Sequence, residues 1–337
     1  MLDSYGRKIS YLRVGVTDFC NLRCVYCMPP EGVPPRSHGE ILRFEEIERV
    51  VRVATRLGID KVRLTGGEPL VRRGIVDLVR IIAGIPGIDD LALTTNGTKL
   101  AEMASGLKAA GLRRVNISLD SLKPERFKEI TRGGDLGQVW RGIEAARREG
   151  LTPIKLNVVI MRGVNDDEMA EFAGLTISQD LHIRFIELMS LGRESWHGLR
   201  HVPSSELKMR LEDAPEGGLA GRPLEAVPGQ DGDGPARYYR FAGAQGTIGF
   251  ISAVSDHFCH SCNRLRLTPG GKLRSCLLSN GESDLLGPLR RGMTDAELEA
   301  FLARAIAEKP AKQGTGAALE DWLRENPSAR FMSQIGG

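Results

Sequence analysis

From about residue 11 to residue 189 the chain alternates short apolar runs with longer amphipathic stretches. The short runs, Leu12 to Thr17, Lys61 to Thr65, Leu91 to Thr95, Val115 to Leu119, Ile154 to Ile160 and Ile183 to Leu188, predict strands. Between them Phe44 to Arg56, Gly74 to Ala83, Leu100 to Ala110, Gln138 to Glu149 and Asp166 to Ile177 carry helical spacing. Several helical stretches stop at a glycine: Gly58, Gly111 and Gly150. Six strands separated by five helices specify a parallel sheet, open or curled into a barrel.

The rhythm breaks over residues 212–236, where ten of 25 positions are Gly or Pro, so a linker is expected there. Beyond it, Arg237 to Phe241, Thr247 to Ile251 and Arg264 to Thr268 predict short strands, and Asp284 to Arg291 and Thr294 to Ala307 predict helices. The expected division is a barrel over 1–210, a Gly/Pro-rich linker over 211–236 and a smaller C-terminal α+β domain over 237–337. No internal repeat is visible.

Composition changes this picture little. With 41% hydrophobic and 26% charged residues the chain reads as an ordinary soluble globular protein. A net charge of +3 without a dominant Lys/Arg run gives no reason to expect nucleic-acid binding. The first twenty residues hold no apolar leader and no apolar run approaches a membrane span, so a cytoplasmic protein with no membrane partner is expected. The six cysteines fall as Cys20, Cys24, Cys27 and as Cys259, Cys262, Cys276. Two tight groups suit metal sites in a reducing compartment better than disulfides.

The first group lies in the loop after the first strand. Three thiolates on one loop can hold three irons of a cubane and leave the fourth open to a reactant. Structural zinc wants four closed ligands, and no His or fourth Cys stands nearby. The pattern Cys20-x-x-x-Cys24-x-x-Cys27, with Tyr26 before the last Cys, resembles the signature of the radical S-adenosylmethionine (SAM) superfamily. Gly66-Gly67-Glu68-Pro69 at the end of the second strand resembles that superfamily's GGEP motif, which binds the SAM amino group. The resemblance implies a [4Fe–4S] cluster whose open iron chelates SAM, and a 5′-deoxyadenosyl radical as the reactive species. It also assigns Tyr26, Gly66, Gly67, Glu68, Pro69, Asn96, Ser118 and Met189 to SAM. Most of these stand at C-terminal strand ends, where parallel α/β folds build their sites.

Basic residues interrupt the apolar strands: Arg13 in the first, Lys61 and Arg63 in the second, Lys155 in the fifth and Arg184 in the sixth. Lys61 and Arg63 alternate on one strand face. If that face is inward their charges need counter-charges. Outward exposure, or pairing with Glu68 and Glu187, would satisfy them equally. Five such interruptions suggest a polyanionic substrate such as a triphosphate.

The second group is Cys259-x-x-Cys262 with Cys276 beyond. Taken alone it suits zinc as well, because His257 or His260 could complete a Cys₃His site. Its surroundings, Phe258-Cys259-x-x-Cys262-Asn263-Arg264-x-Arg266-Leu267-Thr268 and Gly271-Lys272-Leu273-Arg274-x-Cys276-Leu277, resemble the C-terminal signature of the GTP 3′,8-cyclase family. That family implies a second [4Fe–4S] cluster contacting guanine and a GTP set of Arg13, Lys61, Arg63, Thr94, Lys155, Arg184, Arg264 and Arg266. It places Arg13, Arg264, Arg266 and the terminal Gly336-Gly337 in the catalytic machinery. The fold implied is an incomplete (βα)₆ TIM-like barrel closed by the C-terminal domain. The reaction implied converts GTP to (8S)-3′,8-cyclo-7,8-dihydroguanosine 5′-triphosphate in molybdopterin biosynthesis, after abstraction of the ribose 3′-hydrogen. An electron donor and a downstream cyclic pyranopterin monophosphate synthase are the partners implied, and a homodimer is left open. Where the family would have a His, Gln313 stands. Two competing readings remain: a radical SAM enzyme that modifies a peptide with an auxiliary cluster, and a non-enzymatic zinc or iron–sulfur module.

Overall fold

The structure, a computed structural model, describes residues 1–34, 36–189, 200–214, 217–228, 234–311 and 330–335. The barrel unit runs β1 (Tyr11–Gly15), α1 (Phe44–Arg56), β2 (Lys61–Thr65), α2 (Ile75–Ala83), β3 (Asp90–Thr95), α3 (Leu100–Ala109) and β4 (Arg114–Ser118). It continues through α4 (Pro124–Thr131), α5 (Leu136–Arg148), β5 (Ile154–Ile160), α6 (Met169–Ser178) and β6 (Leu181–Glu187). The strands are buried nearly end to end, as expected where helices cover a parallel sheet. Helix α1 shows how the cover is built: Ile47, Val50, Val51 and Ala54 form one apolar stripe that packs inward.

The remaining elements are α7 (Ser204–Glu212), β7 (Leu224–Val227), β8 (Arg237–Phe241), β9 (Thr247–Ile251), β10 (Arg264–Leu267), β11 (Lys272–Arg274), β12 (Ser283–Asp284), α8 (Leu286–Arg290) and α9 (Asp295–Ala307). They do not form a separate sheet. One sheet runs β12-β11-β10-β1-β2-β3-β4-β5-β6-β9-β8-β7. β10 lies parallel to β1 and β9 parallel to β6, so the six-stranded unit is extended by a parallel strand on each side. The chain between them, residues 252–263, passes from one flank of the barrel to the other. The sheet curves far enough that Arg184 on β6 senses Tyr11 on β1.

Among the described residues five of these elements lie outside the sequence reading: α4, α7, β7, β11 and β12. The 211–236 linker contains β7, paired antiparallel with β8 at the sheet edge. Pro223 and Pro228 bracket this half-exposed strand, a placement open only to an edge, and the surrounding Gly and Pro hid it. Helix α4 was also unforeseen: it is short, begins with Pro124 at its first turn, and buries only Phe127, Ile130 and Thr131.

Candidate active site

The C-terminal strand ends and the 252–278 segment enclose a cavity of about 320 Å³. Both cysteine triads line it.

The loop of the first triad is fixed from several sides. Arg23 and Val25 donate their backbone N–H groups to Thr131 and Ile130 at the end of α4, at 3.0 and 2.9 Å. Arg132 donates from its guanidinium to the Arg23 and Met28 carbonyls, at 3.3 and 2.9 Å. Asp18 pairs with Arg36 at 2.6 Å. Burial pushes the Cys20 thiol up to about 11 and Cys27 to about 12, and Cys24 rises well above its usual value. Thiols so placed ionise readily only on a cationic centre, which fits a cluster-binding donor set.

Gly66 and Gly67 serve this loop directly. A Cβ on Gly66 would stand 2.3 Å from the Thr17 carbonyl oxygen, and one on Gly67 2.3 Å from that of Phe19. Gly66 also adopts φ 149°, which L side chains avoid. Their N-terminal partner is thus the chain's own backbone, sealed by Gly67 N–H to Thr17 O at 2.7 Å and Glu68 N–H to Phe19 O at 2.9 Å. Both glycines still line the cavity. Glu68 accepts from Thr95 Oγ1 at 2.7 Å, from the Asn96 N–H at 2.6 Å and from the Leu70 N–H at 3.0 Å. Burial nevertheless outweighs these donors and pushes its carboxyl up to about 7.

The second triad lies in a different field. Burial raises the Cys262 thiol, but the Arg264 and Lys309 charges and the bonds it accepts bring it down to about 7. His257 lines the cavity and His260 is exposed. Among the described residues no three His, Cys, Asp or Glu side chains converge as they would on a single ion.

The wall of the same cavity is basic. Arg13, Arg63, Arg184, Arg264 and Arg266 all line the cavity. Burial, then Arg266 and Arg63, hold Arg13 well below the guanidinium range, and burial brings Arg63 and Arg266 to about 10. Among the described residues, the buried Nε atoms of Arg63, Arg184 and Arg264 have no hydrogen-bond partner. Glu68 and Glu187 do not neutralise this wall. Glu187 accepts instead from the Ser204, Val254 and Ser255 N–H groups at 2.7, 2.8 and 2.8 Å.

Residues 14–176 match the model of the radical SAM superfamily, and residues 181–315 match that of molybdenum cofactor synthesis C. GTP 3′,8-cyclases of Pelotomaculum thermopropionicum and Moorella thermoacetica are 54% and 52% identical, with 100% of this chain and of each relative covered. This chain belongs to the GTP 3′,8-cyclase family. Its radical SAM membership brings a [4Fe–4S] cluster and SAM as cofactors. SAM-bound SuiB of Streptococcus suis, 13% identical, superposes with TM-score 0.57 over 96% of this chain and 74% of that one, which shows a shared fold.

For this family member, the residues expected at SAM and GTP mostly meet in the cavity: Tyr26, Gly66, Gly67, Glu68, Asn96, Ser118, Met189 and Thr94 join the five arginines there. Three do not line it. Pro69 is buried in the short helical turn after Glu68. Lys61 is half-exposed at the first position of β2, level with Tyr11 and Asp90. Lys155 is buried beneath the cavity, 5.9 Å from the Tyr238 ring centre. Gly336 and Gly337 lie outside the described residues.

Sequence reasoning missed Asp120, which accepts from the Tyr26 hydroxyl at 2.7 Å and from the Val159 N–H at 2.9 Å on the cavity wall. Its place two residues past Ser118, at a strand's C-terminal end, was the available signal. It also missed the Arg114–Asp90 pair, with Arg114 Nε 3.0 Å from Asp90, and gave no role to Lys309, which matches the family's Lys-Pro pair and lines the cavity.

Proposed function

We propose that this chain cyclises GTP to (8S)-3′,8-cyclo-7,8-dihydroguanosine 5′-triphosphate, a step of molybdopterin biosynthesis. The observation that carries the reading is that two three-cysteine groups face one cavity whose wall holds five arginines. Cys20, Cys24 and Cys27 would hold the first [4Fe–4S] cluster, and Cys259, Cys262 and Cys276 a second. When bound, the first cluster and SAM supply a 5′-deoxyadenosyl radical for removal of the ribose 3′-hydrogen. Glu68 accepts from the SAM amino group, with Gly66, Gly67, Asn96, Ser118, Met189 and the Tyr26 backbone shaping that half of the site.

The basic wall holds GTP. Arg63 and Arg184, with Lys155 and Lys61 nearby, attract the triphosphate, while Arg13, Arg264 and Arg266, on the wall of the cavity that both triads line, hold the ribose and base within reach of one another. These side chains act by position and charge. The reaction also calls on an electron donor and delivers its product to a cyclic pyranopterin monophosphate synthase.

The test is anaerobic incubation of reconstituted protein with SAM and a strong reductant, with and without GTP. GTP-dependent 5′-deoxyadenosine formed in step with GTP loss supports the reading. SAM cleavage indifferent to GTP would return the substrate to the wider superfamily, and zinc in place of iron would end it.

A further inference from the structure

We propose that Lys309 and Arg7 form a two-cation clasp that binds all three arms of the second cysteine triad, with Lys309 as the positioning residue at its centre. The inference rests on the reading of that triad as an iron–sulfur site.

Lys309 follows α9 and is only 3% exposed. Its ammonium donates to the Arg264 carbonyl at 2.9 Å and to the Ser275 carbonyl. Arg264 stands two residues past Cys262, and Ser275 immediately precedes Cys276. One buried charge therefore ties together the two arms that carry these cysteines. The third arm is held by Arg7, which donates from Nη1 to the Cys259 carbonyl at 2.7 Å.

The two cations are also joined to each other. Arg7 donates to the carbonyls of Lys309, Pro310 and Ala311 at 3.3, 2.7 and 3.1 Å. Arg7 is itself locked by Asp3, through Nε at 2.6 Å and through its backbone N–H at 2.9 Å. Residues before the barrel and residues after its last helix thus meet behind one loop.

The charges differ in what balances them. Arg7 has Asp3. Lys309 faces the sulfurs of Cys262 and Cys276. A buried ammonium needs a negative partner, and a cluster on three thiolates carries one. Net charge and hydrogen bonds around the sulfurs set cluster potentials, so Lys309 makes this cluster easier to reduce. It also fixes Arg264, whose guanidinium reaches the cavity, by holding its carbonyl.

The test compares reconstituted full-length parent, Lys309→Met and Arg7→Gln by iron and sulfide content, by EPR of reduced protein with SAM or with GTP, and by equilibrium dialysis of GTP. The SAM-responsive signal reports the first cluster and the GTP-responsive signal the second. Lys309→Met keeps the stem and removes the charge. It is expected to lose the GTP-responsive signal or shift its midpoint to more negative potential, and to weaken GTP binding about tenfold to a hundredfold, with the SAM-responsive signal unchanged. Arg7→Gln should act in the same direction, and carries the test if Lys309→Met does not fold. Parental signal, midpoint and GTP affinity in both variants would overturn the clasp, as would equal damage to both clusters. A parent with about four irons and no GTP-responsive signal would instead overturn the two-cluster reading beneath it.

Discussion

Arg13 on β1 and Arg266 on β10 stand opposite each other in register across a parallel strand pair, so a half-buried and a buried arginine share one wall of the cavity. Like charges held together in a buried site oppose the fold and favour an anion, which is the usual exchange of stability for function. Arg266→Met, which keeps much of the volume, should weaken GTP binding by about tenfold to a hundredfold, the worth of a charged hydrogen bond. The thermal midpoint of the ligand-free chain should not fall. Unchanged GTP affinity with lost stability would make Arg266 a structural residue.

Lys155 gives a pH test of the phosphate end. Burial first, then Arg184, Arg114 and Arg63, bring its ammonium down to about 7. A triphosphate favours the charged form, so binding takes up a proton wherever Lys155 is neutral beforehand. GTP affinity is therefore expected to fall as pH rises through about 7, and Lys155→Met should bind more weakly with a flatter profile. Stability of the free chain moves the other way. Between about 7 and 10.5 the unfolded chain binds a proton that the native chain lacks, so stability rises with pH over that window. Calorimetric titrations across pH in parent and variant separate the two effects.

The strands and the triads were legible because each rests on local pattern. β2 and β5 fall on the residues their apolar runs predicted, and the first cysteines stand in the loop directly after β1. Depth was not legible. Alternation correctly put Lys61 and Arg63 on one face, but it cannot say that Lys61 begins the strand while Arg63 reaches the cavity. Nor does local pattern show where a late segment docks. β9 and β10 read as parts of a separate domain, yet they join the barrel sheet on opposite flanks, and only that placement brings Arg266 beside Arg13. Asp120 and Lys309 gain their meaning from partners far along the chain, and single-residue chemistry carries no trace of such distances.

Glu187 joins the end of β6 to the segment that leads to Cys259. Its buried carboxylate takes the N–H groups of Ser204, Val254 and Ser255. Burial raises its carboxyl, but the nearby His201 ring, 3.6 Å away, and the bonds from Ser255 and Ser204 together hold it at about 2. This stabilisation is complete above about 4.5 and is lost as pH falls toward about 2. Glu187→Ala leaves three backbone donors unmatched and should lower unfolding stability by about 3–5 kcal/mol, read by urea titration. Iron at the second triad should fall with it. A loss well under 1 kcal/mol would mean that water replaces the carboxylate at no cost, and that the crossing segment is held by other contacts.

Glu68 tests the opposite end of the cavity. Thr95 Oγ1 and the Asn96 and Leu70 N–H groups already donate to it, yet burial leaves its carboxyl at about 7. A SAM amino group arriving there favours the ionised form, so SAM affinity should rise with pH through about 7 with a proton released to buffer. In Glu68→Gln one oxygen must serve all three existing donors, and the new amide N–H₂ accepts nothing. Binding should weaken by about tenfold or more, and the part of the pH profile that belongs to Glu68 should vanish. Equilibrium dialysis of SAM from acid to mildly alkaline pH, in parent and variant, reads both effects. The SAM amino group titrates in this region too, so the difference between the two profiles decides the matter. Parallel profiles would assign the titration to SAM itself and remove Glu68 as the group that receives it.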